Sequence, residues 1–196
     1  MQILNKYKLC LGAILLIGIT LETKVSAQTT YRQSQDSQLT IGGTSTLRDW
    51  NMISNEGRYN AEFEFSQDGK LEKLNALSFN IPVESLKSNS KALDNNAYST
   101  METDVHKTIN FNLTKALIGP QKIHCTGSLT IAGTTNSIDL DVTYQLTNSR
   151  VIICSGVKKL KMSDYKVDPP VFMFGTVKTN DEIDVSFSVR LVPIGQ

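Results

Sequence analysis

Between residues 127 and 146 the chain alternates, and few folds tolerate that. From Ile138 every second residue is apolar: Ile138, Leu140, Val142, Tyr144, Leu146. Asp139, Asp141, Thr143 and Gln145 lie between them. Successive side chains on a strand point to opposite faces, so a period of two gives one dry face and one wet face. An amphipathic helix would need its apolar residues three and four apart. Leu129 and Ile131 alternate with Ser128 and Thr130 in the same way, and Gly133 followed by Thr134 and Thr135 supplies the break. Glycine accepts backbone angles that other residues resist. The stretch reads as strand, tight turn, strand.

The same design recurs along the chain. Tyr59, Ala61, Phe63 and Phe65 alternate with Asn60, Glu62 and Glu64, and Asp68-Gly69 follows as a hairpin signal. Leu77, Phe79, Ile81 and Val83 share one face of the next run, with Pro82 on the other, near a strand end or a sheet edge. Ile109, Phe111 and Leu113 resume the period, Gly119-Pro120 turns the chain, and Ile123, Cys125, Gly127, Leu129 and Ile131 share a face. Residues 150–157 are apolar and less regular, as for a strand buried on both sides or bulged. Ile183, Val185, Phe187, Val189 and Leu191 close the pattern. Residues 39–52 are rich in β-branched side chains and read as strand, bent or bulged at Gly42-Gly43. Trp50, the only tryptophan, reads as core or cavity wall.

Two stretches break the period. In residues 84–106, Leu93, Ala97 and Met101 fall four apart behind Ser90 as an N-cap, which predicts one or two short helices. That stripe packs on the end of the fold or acts as a lid over it. In residues 158–175, Asp168-Pro169-Pro170 forbids helix and marks a loop. About eight strands with one apolar face each must close up or stack. Runs of about nine to twelve residues are long for a small sandwich, so the expected class is all-β: an eight-stranded antiparallel barrel with a short helical insertion.

A chain of 196 residues suits one domain. Lys6 and Lys8 precede an apolar run, residues 9–19, and Val25-Ser26-Ala27 forms a small-residue cleavage pattern before Gln28. That is the order of a secretory signal peptide, and the run is short for a stable membrane span. The expected organisation is signal peptide 1–27, flexible leader 28–37, and barrel domain 38–196. Of 20 basic and 19 acidic side chains, three and one lie in the signal segment, which leaves the remainder at −1. Such a balance attracts neither nucleic acid nor anionic membrane by field alone. Export leaves Cys125 and Cys154, which form one disulfide or stay as buried free thiols.

At four places, in order, the sequence resembles the YceI-like, lipocalin-like family of lipid- and polyisoprenoid-binding proteins. They are residues 43–50 (GTSTLRDW), Ser85-Leu86-Lys87-Ser88 with Asn96-Ala97-Tyr98 and Thr108-Ile109-Asn110-Phe111, residues 127–135 (GSLTIAGTT), and residues 162–175 with Tyr165, Pro169, Pro170 and Gly175. Arg48 stands where one branch often carries histidine, which leaves open a polar role at the barrel mouth, and Lys107 where a proline usually precedes the Thr-Ile run. The resemblance implies an extended barrel whose long apolar lumen holds an isoprenoid or similar lipid, and export to the periplasm; a location outside the cell is the other possibility for an exported chain.

If a lumen exists, its expected walls are Trp50, Phe63, Phe65, Phe79, Ile81, Ile109, Phe111, Leu129, Ile131, Leu140, Val142, Tyr144 and Phe187. The alternative is a structural or interaction module whose barrel is filled by side chains. Catalysis finds little support. His106 and His124 have no nucleophile beside them in sequence, and no Gly-x-Ser-x-Gly, His-Glu-x-x-His or Cys-x-x-Cys occurs. No enzyme activity, cofactor or metal is expected, and oligomeric state is open.

Overall fold

Each alternating run becomes a strand, and the runs wrap into one closed sheet. The structure, a computed structural model, describes residues 27–194, so the signal segment expected at 1–27 lies outside it save for Ala27. The strands are β1 (Ala27–Gln33), β2 (Gln38–Ser45), β3 (Trp50–Ser54), β4 (Arg58–Phe65), β5 (Leu71–Pro82), β6 (Thr108–Ile118), β7 (Lys122–Ile131), β8 (Thr134–Leu146), β9 (Ile152–Lys161), β10 (Val171–Phe172) and β11 (Val177–Pro193). One α-helix, α1 (Lys91–Thr100), crosses between β5 and β6.

The ladder runs β1–β4–β5–β6–β7–β8–β9–β11 and returns from β11 to β1, so eight antiparallel positions close a barrel. Closure pairs most of the strand edges that an open sheet would leave to template aggregation. β2 continues the line of β1 along β11: Leu191 pairs with Gln33 of β1, and Ser188 with Gln38 of β2. β3 and β4 form a second line broken once. β1 takes its place against β4, and β2 against β3.

Two expectations are corrected here. Residues 28–37 are not a flexible leader, because β1 occupies most of them and completes the closure. Tyr31 on that strand is fully buried, an anchor that its polar neighbours conceal in the sequence. Residues 39–52 are not one bent strand. The chain reverses at 46–49, and Gly42 and Gly43 stay within β2, paired with Asn51 and Trp50 of β3.

The two ends of the barrel differ. One end carries the short connections after β4, β6 and β8, and aromatic side chains close it. Tyr31 Oη donates to the Arg150 carbonyl (2.9 Å), Tyr144 Oη donates to the Gly119 carbonyl (3.1 Å), and the Arg150 guanidinium lies 5.3 Å from the centre of the Phe65 ring. The other end carries the β2–β3 and β7–β8 turns, α1 and the 162–176 excursion. There Ser90 caps α1, its Oγ accepting from the Leu93 amide at 3.4 Å. Buried Asp94 accepts from the Ser88 amide and hydroxyl, both at 2.7 Å. Tyr98 Oη donates to the Leu86 carbonyl at 2.6 Å. The helix is therefore fastened to the 83–88 segment by polar bonds as well as by packing.

Candidate functional site: an apolar lumen in two chambers

The inward faces of the strands leave the barrel partly hollow. The larger chamber, about 120 Å³, lies in the middle of the barrel. Phe63, Phe79, Ile81, Ile109, Leu129, Ile131, Leu140, Val142 and Phe187 line it. So do Leu39, Tyr59, Leu77, Ile123, Cys125, Ile138, Cys154, Val185, Val189 and Leu191, which the same period of two points inward. Among the described residues Lys158 is the one charged side chain on this wall.

A second chamber of about 90 Å³ sits under α1. Trp50 and Met52 come from β3, Leu93, Ala97 and Met101 from α1 and its C-terminal end, and Tyr165, Val167 and Pro170 from the 162–176 excursion. Ile41, Ile109, Ile131 and Ile183 line both chambers. These four isoleucines form the wall that the two apolar chambers share.

Glycine on one strand meets an aromatic ring from the next in the barrel wall. The Phe111 ring lies over Gly127, where a Cβ would collide with it. The Phe187 ring lies over Gly156, with Cζ 2.6 Å from the place of the missing Cβ. The indole of Trp50 covers Gly43 likewise. Each ring takes the space that a side chain at the neighbouring glycine would fill.

Three expected wall residues do not line the chambers. Phe111 is fully buried, wedged between Gly127 and Phe79, whose ring stacks on it at 5.1 Å and 12°. Phe65 and Tyr144 belong to the closed end. Period-two patterning reports the face of a strand, not the height along the tube. Arg48 is exposed in the β2–β3 turn, with its carbonyl accepting from Ser45, and Lys107 is exposed after α1.

Burial keeps the polar groups of the tube neutral. The hydroxyl of Tyr59 is pushed up to about 12 by desolvation. The thiols of Cys125 and Cys154 rise to about 11 and about 12, mainly for the same reason. Both cysteines are free. They sit on β7 and β9 with β8 between them, and two strand spacings of about 4.8 Å exceed the roughly 7 Å that a disulfide spans.

The wall has a gap. β8 and β9 pair only from Thr143–Ser155 to Leu146–Ile152, so residues 134–142 of β8 have no ladder to β9. Ile138, Lys158 and Leu160 line the larger chamber and also an outer cleft that includes Asp139, Lys159 and Tyr165. The Asn136 amide donates to the Asp164 carbonyl at 2.7 Å and frames the gap toward the helical end. Side chains of these three residues thus separate the lumen from the outer surface where the β8–β9 ladder is missing.

The wet face offers no comparable site. His124 Nδ1 is 2.8 Å from Asp141, whose carboxyl is held below its ordinary range by that bond. Thr126 donates to Asp139 at 2.6 Å. All four are side chains on the outer face of β7 and β8. His106 packs over Gly133 of the β7–β8 turn, 3.9 Å from Glu102. Among the described residues no three His, Cys, Asp or Glu side chains gather as a metal site, and no helix is long and apolar enough to cross a membrane.

Residues 33–191 match the profile of the YceI-like domain. The chain belongs to the YceI-like family. Solved structures share the barrel at low identity, and so speak to fold alone. BcnA of Burkholderia cenocepacia superposes with a TM-score of 0.66 at 17% identity, over 81% of this chain and 98% of that one. A polyisoprenoid-binding domain from Saccharophagus degradans, implicated in plant cell wall breakdown, gives 0.64 at 11%, over 85% and 99%. A Campylobacter jejuni YceI protein gives 0.56 at 22%, over 72% and 85%. No curated protein matches the chain. The fold of this YceI-like protein is the closed eight-stranded antiparallel barrel with one short helix.

Proposed function

We propose that this YceI-like protein is an exported carrier that holds one apolar chain, isoprenoid or acyl, along its two-chamber lumen, and that it catalyses no reaction. The observation that carries the reading is the pair of adjoining chambers inside the barrel, walled almost wholly by hydrocarbon and sharing four isoleucines. Each methylene drawn from water into such a wall contributes about 0.8 kcal/mol. About ten methylenes therefore exceed the several kcal/mol lost in ordering a flexible chain. The family membership and the polyisoprenoid-binding neighbour support the same ligand class. The pattern of residues 1–27 supports export, to the periplasm or beyond the cell.

In this reading the lumen residues named from the sequence and found on the chamber walls contact the chain. Phe65, Phe111 and Tyr144 support the walls from behind or below. α1 roofs the smaller chamber, and the stretch where β8 has no ladder to β9 gives a chain a lateral route that leaves the roof in place. The test is to purify the protein from its native compartment, extract it with organic solvent and identify what is released by mass spectrometry. A stoichiometric apolar lipid is expected. No lipid recovered, together with no uptake of an apolar fluorescent probe by the stripped protein, overturns the reading and favours a module with a merely structural barrel.

A further inference from the structure

The inward face of β9 carries one residue of the wrong kind. Cys154, Lys158 and Leu160 line the larger chamber from that strand, and Gly156 shares their face. Ser155, Val157, Lys159 and Lys161 alternate with them and are exposed. Val157 stands in water at 65% exposure, while Lys158 on the dry side is half-buried. Solubility would be served by the reverse order, since lysine is among the side chains least often placed inside.

Lys158 also lacks an ion pair. Its neighbour Lys159 lies 3.8 Å from Asp184, and the charge of Lys161 falls on Asp181, both on the outside. Among the described residues no carboxylate pairs with Lys158 in the same way. Its charge reaches Asp141 only weakly, behind those of His124 and Lys122, and Asp141 is bonded to His124 at 2.8 Å on the outer face.

The residue stands where the backbone wall is open. The last β8–β9 pair is Thr143–Ser155, and the same register continued would set Lys158 opposite Leu140 and Leu160 opposite Ile138. All four line the larger chamber. Instead the ladder stops, and Lys158 borders the lumen on one side and the outer cleft on the other. A lysine lays its carbon stem on apolar surface and turns its ammonium toward water or an anion. This seam offers hydrocarbon to the stem and a polar cleft to the head.

Charge balance selects an occupant. Among the described residues the larger chamber has this one cation and no carboxylate on its wall. The outer cleft sets Lys158, Lys159 and Lys161 against Asp139, Asp164 and Glu182. A single negative charge on the lumen side therefore meets one unbalanced cation. A doubly charged head also meets the three carboxylates at the mouth. A carboxylate carries one charge, only accepts hydrogen bonds, and makes the stronger, charge-assisted kind with an ammonium.

We propose that Lys158 is the head-group site for a long-chain monocarboxylate, its tail in the larger chamber and its carboxylate on the Lys158 ammonium at the β8–β9 seam. This rests on the carrier reading and narrows it. The ligand class is a singly charged amphiphile such as a fatty acid, and its head sits at the side of the barrel, not under α1.

The test titrates tetradecanoic acid, tetradecanol and tetradecyl phosphate into mature protein stripped of lipid, at about pH 8, where a carboxyl is ionised. The proteins are the wild type, Lys158→Met and Lys158→Arg. Methionine is unbranched and apolar on a wall that is otherwise hydrocarbon, so folding is expected to survive, with circular dichroism as the check. Lys158→Met is expected to lower the acid-to-alcohol affinity ratio roughly tenfold or more, the size of one charge-assisted hydrogen bond, with alcohol binding kept. Lys158→Arg is expected to retain most of the ratio. With carboxyl-labelled acid, carbon-13 spectra are expected to show the bound carboxyl titrating below the ordinary carboxylate range on the wild type.

A ratio unmoved by Lys158→Met overturns the head site and leaves the carrier reading standing, with Lys158 merely turned to water. Equal loss of acid and alcohol overturns it too, because Lys158 then only holds the wall. Tighter binding of the phosphate than of the acid overturns the singly charged class. The carbon-13 titration needs only the wild type. A bound carboxyl that titrates at or above the ordinary range overturns the site even where Lys158→Met fails to fold. Failure of all three ligands to bind the wild type overturns the site, and failure of an apolar fluorescent probe as well overturns the carrier reading.

Discussion

At the scale of residues, the wall is made by pairing rings with glycines, and this separates two kinds of buried side chain. Val142 faces the chamber, whereas Phe111 is clamped between Gly127 and Phe79 and faces packed atoms on both sides. Val142→Asp is expected to fold and to lose uptake of an apolar probe, because an unpaired charge in a dry tube repels hydrocarbon and draws in water. Phe111→Ala is expected to cost about 3–5 kcal/mol of stability by denaturant titration, as for other large rings removed from a core. A Phe111→Ala protein of unchanged stability would show that the ring is not wedged as described. Both positions belong to one alternating face in the sequence, and periodicity cannot separate them. The difference arises because the neighbouring strand β7 presents Gly127 diagonally to Phe111, under its ring.

Elements at the helical end are joined by a few polar clamps, and these give it a dependence on pH. The carboxyl of Asp181 is held below its ordinary range, chiefly by the Ser163 hydroxyl and amide. A carboxyl whose folded pKa is depressed contributes stability that is present above the unfolded value and is lost as pH falls through the folded one. The turn bearing Tyr165 is therefore expected to stay clamped at neutral pH and to loosen only below the ordinary carboxylate range. Ser163→Ala should move the Asp181 titration, followed by carboxyl NMR, upward toward the ordinary value. An unmoved titration would mean that the clamp is not what holds this carboxyl down. α1 was legible as a helix from its four-residue spacing and its Ser90 cap. The residues of the 162–176 excursion that complete the chamber were not, because Tyr165 and Val167 lie in a segment without period.

For the molecule as a whole, the volume of the two chambers bounds the length of chain that the proposed carrier holds. At roughly 10–15 Å³ of free space per water-sized particle, the two chambers together hold on the order of fifteen such particles. A chain of about fifteen carbons then fits without the walls moving. Across a series of fatty or prenyl alcohols, affinity is expected to rise with length to about that size and then level off. Isothermal titration would read this, and a steady gain well beyond twenty carbons would show that the barrel widens or that the tail leaves between β8 and β9. Either outcome bears on the stretch where β8 has no ladder to β9.

The long alternating strands, the capped helix and the barrel class were readable from residue order, because each depends on spacing along a few neighbouring residues. Tertiary structure alone decided the rest. It made a strand of residues 27–33, since their pairing partners lie far away at β4 and β11. It kept Cys125 and Cys154 apart by placing β8 between them. It also brought Trp50 and Tyr165 to one chamber across more than a hundred residues of chain. Contacts of that kind depend on register and closure, which are properties of the completed ring of strands and are not carried by any one segment.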